Sequence, residues 1–302
     1  SKDPWKPLLN RAIMGAYPPG STFKTTQALT FLQEGIINTG TMYPCSGGFS
    51  YRGLHVGCHA HPSPLSLIPA IATSCNGYFC WGLYYMIGAR QKYGSVQKAM
   101  NTWRDYMVSM GFGYQLGIDL PGEKRGMIPN AQYYDKAYRR SWNGLTIISI
   151  SIGQGEVTAT PLQIANLGAT IANRGYFVTP HVVKEIEGES IDSIYTTRRY
   201  TKVDKGHYEE VVQGMRSAVL GGTCRTANIP ELEICGKTGT AQNHGKDHSA
   251  FMGFAPMNNP KIAIAVYVEN GGWGATYGVP IGKLMIEKYL TGKLTAEDEA
   301  LA

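Results

Sequence analysis

The sequence predicts an α/β fold in which an antiparallel sheet is flanked by helices and an all-helical lobe is inserted, and three observations carry the prediction. Apolar residues recur at helical spacing over much of the stretch from Ser21 to Gly222. From about residue 232 the period changes to two and holds through three runs separated by turn residues. Neither a repeat nor a low-complexity linker breaks that order, so the 302 residues, 43% of them apolar, read as one unit able to bury a large core.

Along the chain, Tyr17-Pro18-Pro19-Gly20 is a turn, and a helix is expected to start at Ser21 with Phe23, Ala28, Leu29, Phe31 and Leu32 on its buried side. Residues 40–63, rich in Gly, Ser, Cys and His, read as an irregular loop that needs something other than a core to order it. Helices are expected at about 64–73, 77–88, 95–110, 161–174 and 207–220, the last closed by Gly221-Gly222. Strands follow at Glu233–Ala241, Ser249–Pro256 and Lys261–Glu269, with Asn258-Asn259-Pro260 turning the second into the third. A helix near 280–290 should pack on that sheet. This order divides the chain into an α/β lobe, residues 1–30 and 205–302, and a mainly helical lobe, 31–204, with a cleft between them as the natural site.

Charge narrows the function. The formal net charge of +6 is small, and Lys and Arg are scattered rather than gathered into a stripe that could follow a phosphate backbone, which argues against nucleic acid. Charged residues make up 17%, so neither disorder nor a coiled coil fits. No run approaches the roughly 18 apolar residues of a membrane helix, and Ser1-Lys2-Asp3 does not open a signal peptide; an anchor is expected to lie outside this sequence.

Three short motifs carry chemistry. Ser21-Thr22-Phe23-Lys24 sets a hydroxyl and an amine on one side of a helix turn, where a neutral, buried amine can take the hydroxyl's proton. The same pattern at Ser95-Val96-Gln97-Lys98 opens a polar-faced helix and reads better as an N-cap with a solvated lysine. Ser-x-Asn occurs at Ser74-Cys75-Asn76 and at Ser141-Trp142-Asn143, and spacing does not choose between them. Lys237-Thr238-Gly239 occurs once, followed by Thr240, on an expected edge strand where Gly239 would let a ligand approach closely.

Each motif is weak alone, but in this order they are the signature of penicillin-binding proteins and class A β-lactamases. The chain resembles the elongation-specific class B penicillin-binding proteins, the penicillin-binding protein 2 family. Further residues carry the likeness: Pro7 to Ala12, Tyr17 to Lys24, Gly153-Gln154-Gly155, Ala159-Thr160-Pro161-Leu162-Gln163, Ala172-Asn173-Arg174-Gly175 and Lys237 to Asn243. The resemblance implies the serine β-lactamase-like fold of these enzymes and a D,D-transpeptidase that cross-links peptidoglycan stem peptides on the periplasmic face of the bacterial inner membrane. It selects Ser74-Cys75-Asn76 as the second motif. Ser21 would attack the D-Ala-D-Ala carbonyl, Lys24 accept its proton, Ser74 relay a proton to the leaving D-Ala, and Asn76 hold the substrate amide. The N–H groups of Ser21 and Thr240 would form the oxyanion hole, while Lys237, Thr238 and Thr240 would face the terminal carboxylate. β-Lactams would acylate Ser21, and the partners implied are cell-elongation membrane proteins, including a glycosyltransferase. Family members carry a pedestal domain, a membrane anchor and a β-hairpin upstream of Pro7, none of which is expected in this chain. The rival expectations are a class D-like β-lactamase and a non-catalytic β-lactam sensor domain.

Catalysis in such enzymes needs no cofactor, yet four of the six cysteines crowd into residues 45–80. Cys58-x-x-His61 has the spacing that lets two side chains reach one ion, and Cys45, Cys58, His61 and Cys75 are the expected ligands of a structural zinc, with His59 as the alternative to His61. Some relatives place a metal at the corresponding loop with carboxylates among its ligands. Disulfides, Cys45 with Cys58 or Cys224 with Cys235, and free buried thiols are the competing readings.

Overall fold

The computed structural model describes residues 6–302; residues 1–5 of the first expected lobe lie outside them. Ser21 sits in a 3-10 turn, Gly20–Phe23, rather than at an α-helix start; helix α1 (Lys24–Gln33) follows directly and is buried along almost its whole length. The turn tightens because Gly20 takes a positive φ of 56°, which only a residue without Cβ adopts freely.

The segment expected to be irregular holds a hairpin, β1 (Gly48–Tyr51) paired antiparallel with β2 (Leu54–Gly57). Its two-residue connection, Arg52-Gly53, has positive φ at both positions, the geometry that matches strand twist. Phe49 stacks edge-on against Trp81, giving the hairpin a small apolar anchor. The alternation Phe49, Tyr51, Leu54, Val56 was present in the sequence but is too short to stand out among Gly, Cys and His.

Helices α2 (Leu67–Ala72), α3 (Asn76–Gly88) and α4 (Val96–Ser109) follow at the expected places. Ser95 caps α4, its side chain accepting the Lys98 N–H at 3.2 Å. Ser95→Ala is therefore expected to cost about 1 kcal/mol in denaturant unfolding and to leave acylation at Ser21 unchanged. Ser141-Trp142-Asn143 is likewise structural: the Asn143 carboxamide oxygen accepts the N–H of Leu145 at 2.8 Å and of Thr146 at 3.4 Å, forming a turn.

Helices α5 (Pro161–Ala172) and α6 (Lys205–Leu220) precede a three-stranded antiparallel sheet, β3 (Cys235–Ala241), β4 (His248–Ala255) and β5 (Ile262–Val268), in the order β3-β4-β5. The first strand starts two residues later than expected because Glu233 takes a left-handed turn, φ 46°. Helix α7 (Gly278–Thr291) completes the fold. Alternation along β4 separates two cores: Met252 and Phe254 join the large cluster that includes α1, α3 and α5, while Phe251 and Ala255 join Val279 and Ile286 of α7. Both faces of β4 are covered, so it and β5 are nearly continuous apolar runs rather than the expected alternation of period two, while β3 carries the polar Lys237, Thr238 and Thr240. No helix among the described residues is long and apolar enough to cross a membrane.

Candidate active site

The three motifs, far apart in sequence, meet at one cavity of about 380 Å³ whose lining includes Ser21, Ser74, Asn76, Thr238 and Thr240. Three backbone segments build its floor. Gly20 donates its N–H to the Gly153 carbonyl at 2.9 Å, and a Cβ on Gly153 would stand 2.1 Å from the Gly20 oxygen. A Cβ on Gly20 would in turn meet the Thr240 carbonyl at 2.7 Å. Gln154 then donates through Nε2 to that carbonyl at 3.1 Å, so Gly153-Gln154 clamps the serine turn to strand β3. The N–H and C=O of one strand residue point to the same side, hence the Thr240 N–H also faces away from β4, toward the cavity edge.

The Ser21 hydroxyl makes no hydrogen bond among the described residues and faces the cavity. Lys24 lies beneath it, fully buried, with Nζ donating to the Ser74 carbonyl at 2.7 Å, Ser74 Oγ at 3.2 Å and Asn76 Oδ1 at 2.6 Å. Burial holds the Lys24 pKa down to about 8, while nearby Cys58 and Cys75, when ionised, act in the opposite direction. The shift runs as the sequence led us to expect, but at neutral pH the ammonium form still prevails. Its three acceptors suit an ammonium, and they explain why the amine points at the second motif rather than at Ser21. Such contacts commonly rearrange when substrate binds.

Ser74 is held at a positive φ of 57°, aiming its hydroxyl between two amines. Lys237 reaches it from strand β3, with Nζ 2.7 Å from Ser74 Oγ. Burial, and next the Lys24 charge, push the Lys237 amine well below its ordinary range, as two buried cations sharing one hydroxyl must. Lys237 is thus sealed beneath the cavity instead of facing it. Gly239 also serves packing: a Cβ there would press on Thr22 Cγ2 at 3.0 Å and the Pro19 carbonyl at 3.2 Å, against the serine turn. Thr238 donates to Thr223 Oγ1 at 2.9 Å, and Thr240 Oγ1 accepts the Gly274 N–H at 3.3 Å.

Beside the cavity, the Sγ atoms of Cys45, Cys58 and Cys75 and a ring nitrogen of His61 lie within 4.8 Å of one another. His61 turns Nδ1 to the Pro62 carbonyl at 2.8 Å, leaving Nε2 3.4 Å from Cys58 Sγ. His59 Nδ1 is farther from that sulfur, at 3.9 Å, and its ring belongs to the cavity lining. All six cysteines are free thiols, Cys224 and Cys235 included. Cys58 is pulled far below the usual thiol range, first by a hydrogen bond from Cys75, and Cys75 is pushed up by the same contact.

The motifs did not point to Thr223, Arg225, Asp247 or Trp273, which also belong to the lining. They sit in turns without periodicity, and only the fold brings them to the cleft.

Comparison with known proteins agrees with this geometry. The chain is 36% identical over 302 residues to the peptidoglycan D,D-transpeptidase MrdA of Acinetobacter baumannii, an alignment covering 90% of this chain and 42% of that protein. Its fold matches a crystal structure of Pseudomonas aeruginosa PBP2 in complex with WCK 5153, with a TM-score of 0.83, 32% identity, and 98% of this chain and 64% of that one covered. A complex between PBP2 and MreC from Helicobacter pylori matches with a TM-score of 0.78 and 29% identity over 97% of this chain and 53% of that one. The chain spans about half the length of the curated relatives it matches. Residues 1–287 match the penicillin binding protein transpeptidase domain, and with the serine, lysine and strand motifs gathered at one cavity, the chain belongs to that family.

Proposed function

We propose that this chain carries a serine D,D-transpeptidase that joins peptidoglycan stem peptides through an acyl-enzyme on Ser21. The observation that carries the reading is the unengaged Ser21 hydroxyl at the cavity, above a buried Lys24 wired to Ser74 and Asn76. Ser21 attacks the penultimate D-Ala carbonyl, and Lys24, once deprotonated, takes the hydroxyl proton. The oxyanion is met by the N–H groups of Ser21 and Thr240. Ser74, bridging the two amines, passes a proton to the departing D-Ala, and an acceptor amine then resolves the ester. Lys237 acts by holding Ser74, Asn76 by holding the substrate amide, and Thr238, Gly239 and Thr240 present the strand edge on which the substrate lies.

The Cys45, Cys58, His61 and Cys75 cluster fits a structural zinc, whose bonds of about 2.0–2.3 Å need four donors gathered this closely. The Pro62 carbonyl fixes the His61 tautomer that would bind through Nε2. Bound there, the ion would supply no catalytic step. It would order the loop and pin Cys75 between Ser74 and Asn76. Placement at the periplasmic face of the inner membrane, beside elongation proteins including a glycosyltransferase, is part of this proposal; the relatives' peptidoglycan names and the Helicobacter pylori complex between PBP2 and MreC support it. The α/β lobe of residues 1–30 and 205–302 would carry the nucleophile and the third motif, and the lobe of residues 31–204 the second motif and the metal.

The test is mass spectrometry after benzylpenicillin. One covalent adduct, mapping to the peptide containing Ser21 and persisting for many minutes, is expected. An adduct elsewhere, or rapid steady-state nitrocefin turnover, would sink the reading.

A further inference from the structure

Resting on the transpeptidase reading, we propose that Gln154 is a positioning residue for the oxyanion hole: its carboxamide holds the Thr240 backbone so that the Thr240 N–H meets the oxygen of the tetrahedral intermediate. Gln154 Nε2 donates to the Thr240 carbonyl at 3.1 Å. Because the acceptor is a carbonyl oxygen, the NH₂ end of the carboxamide must be the one turned to it. In an antiparallel strand the N–H and C=O of one residue leave on the same side, so a bond that fixes the Thr240 carbonyl also fixes the direction of its N–H. Thr240 needs such a hold, being the next-to-last residue of β3, where the support of the ladder with β4 ends. The bond has an electrostatic side as well. A bare carbonyl oxygen beside the developing oxyanion would repel it, and a donor on that oxygen reduces the repulsion.

Gln154 starts from a fixed backbone. The N–H groups of Gly153 and Gln154 donate to the carbonyls of Ile150 and Ser149 at 3.2 and 3.1 Å, closing the 3-10 turn Ile148–Ile152. Gly153 and Gly155 each take a φ of 71°, so the residues on both sides of Gln154 sit in the left-handed region that glycine adopts without strain. The same turn reaches the other donor of the hole. The Gly153 carbonyl accepts the Gly20 N–H, and Gly153 packs against the Gly20 carbonyl, whose peptide group carries the Ser21 N–H. Two adjacent residues therefore set both donors, one through its backbone and one through its side chain. Gln154 is half-buried in the cavity lining, and among the described residues its carboxamide makes no other hydrogen bond, so the side chain has no second partner to hold. The Gly274 N–H engages only the Thr240 hydroxyl, at 3.3 Å, and leaves the carbonyl to Gln154.

The experiment takes wild type, Gln154→Met and Gln154→Glu and separates the dissociation constant of the first benzylpenicillin complex from the limiting rate of Ser21 acylation. Beside it stands the affinity of phenylacetamidomethylboronic acid, whose tetrahedral adduct on a serine reads the oxyanion hole without any leaving group. Methionine keeps the length and removes the donor; glutamate keeps the shape and sets a negative oxygen against the Thr240 carbonyl. Loss of a whole oxyanion donor costs about 10²–10³-fold, so a donor left in place but poorly aimed should cost less, roughly tenfold in Gln154→Met and more in Gln154→Glu. The limiting rate and the boronate affinity should fall by the same factor while the dissociation constant holds, because only an interaction made in the transition state is lost. Rates are taken per molecule that finally carries the Ser21 adduct, so a partly unfolded variant does not imitate the effect. A limiting rate within about twofold of wild type in both variants, or a slower rate with boronate affinity unchanged, overturns the positioning role alone. Failure of wild type to be acylated at Ser21 overturns the transpeptidase reading and the positioning role with it.

Discussion

Replacing Lys24 with methionine is expected to slow acylation of Ser21 by benzylpenicillin by about 10²–10⁴-fold, the usual worth of a positioned general base. Methionine matches the length and apolar stem of the lysine, so the buried channel stays filled. The Ser74 carbonyl and Asn76 Oδ1 lose their donor, which costs about 1–3 kcal/mol each; Tm must therefore be measured beside the rate. The pH profile separates the roles. Burial disfavours the ammonium and brings its pKa from 10.5 to about 8, so below that pH the amine keeps its proton and cannot accept one. The wild-type rate should rise with pH through a midpoint near 8. Below the midpoint the slope should approach tenfold per pH unit, because each unit lowers the neutral fraction tenfold. The residual rate of Lys24→Met should lack that rise. A wild-type profile flat between about pH 6 and 9 would remove Lys24 as the base.

Loss of the metal should have the next largest effect. Protein purified without added zinc is expected to hold close to one equivalent by plasma emission, and chelation should destabilise it by several kcal/mol in denaturant unfolding, since binding energy at such sites is folding energy. Cys45→Ala, Cys58→Ala and Cys75→Ala should each lose the ion, whereas Cys224→Ala, buried in the other core, should keep it. Acylation should weaken along with the ion, because Cys75 is flanked by Ser74 and Asn76 and its Sγ accepts the Tyr78 N–H that starts α3. Less than about half an equivalent of zinc, with the thiols oxidised, would rule the site out.

How much of this was legible in the sequence depends on how local each signal is. Helices with long apolar periodicity, α4 to α6 above all, and three strands bounded by Gly, Asn and Pro declare themselves, because the fold only completes what each segment already prefers. The hairpin Gly48–Tyr51 and Leu54–Gly57 did not: its period is too short, and its stability comes from Phe49 packing on Trp81. The 3-10 turn at Ser21 also escaped, since it is imposed by Gly20 wedged between Gly153 and Thr240.

The order of Ser21–Lys24, Ser74–Asn76 and Lys237–Gly239, and the Cys58-x-x-His61 spacing, were determined by the sequence alone, because they are combinations of residue types that few chemistries require. Spacing did not choose between the two Ser-x-Asn motifs and only the resemblance selected Ser74-Cys75-Asn76; tertiary structure supplies the geometric ground, putting Ser74 Oγ within reach of both lysines and spending Asn143 on a turn. It also decided that Lys237 is sealed under the cavity while Arg225 faces it. Burial and charge proximity are properties of space between segments, and over the 163 residues that separate Ser74 from Lys237 no local pattern encodes them.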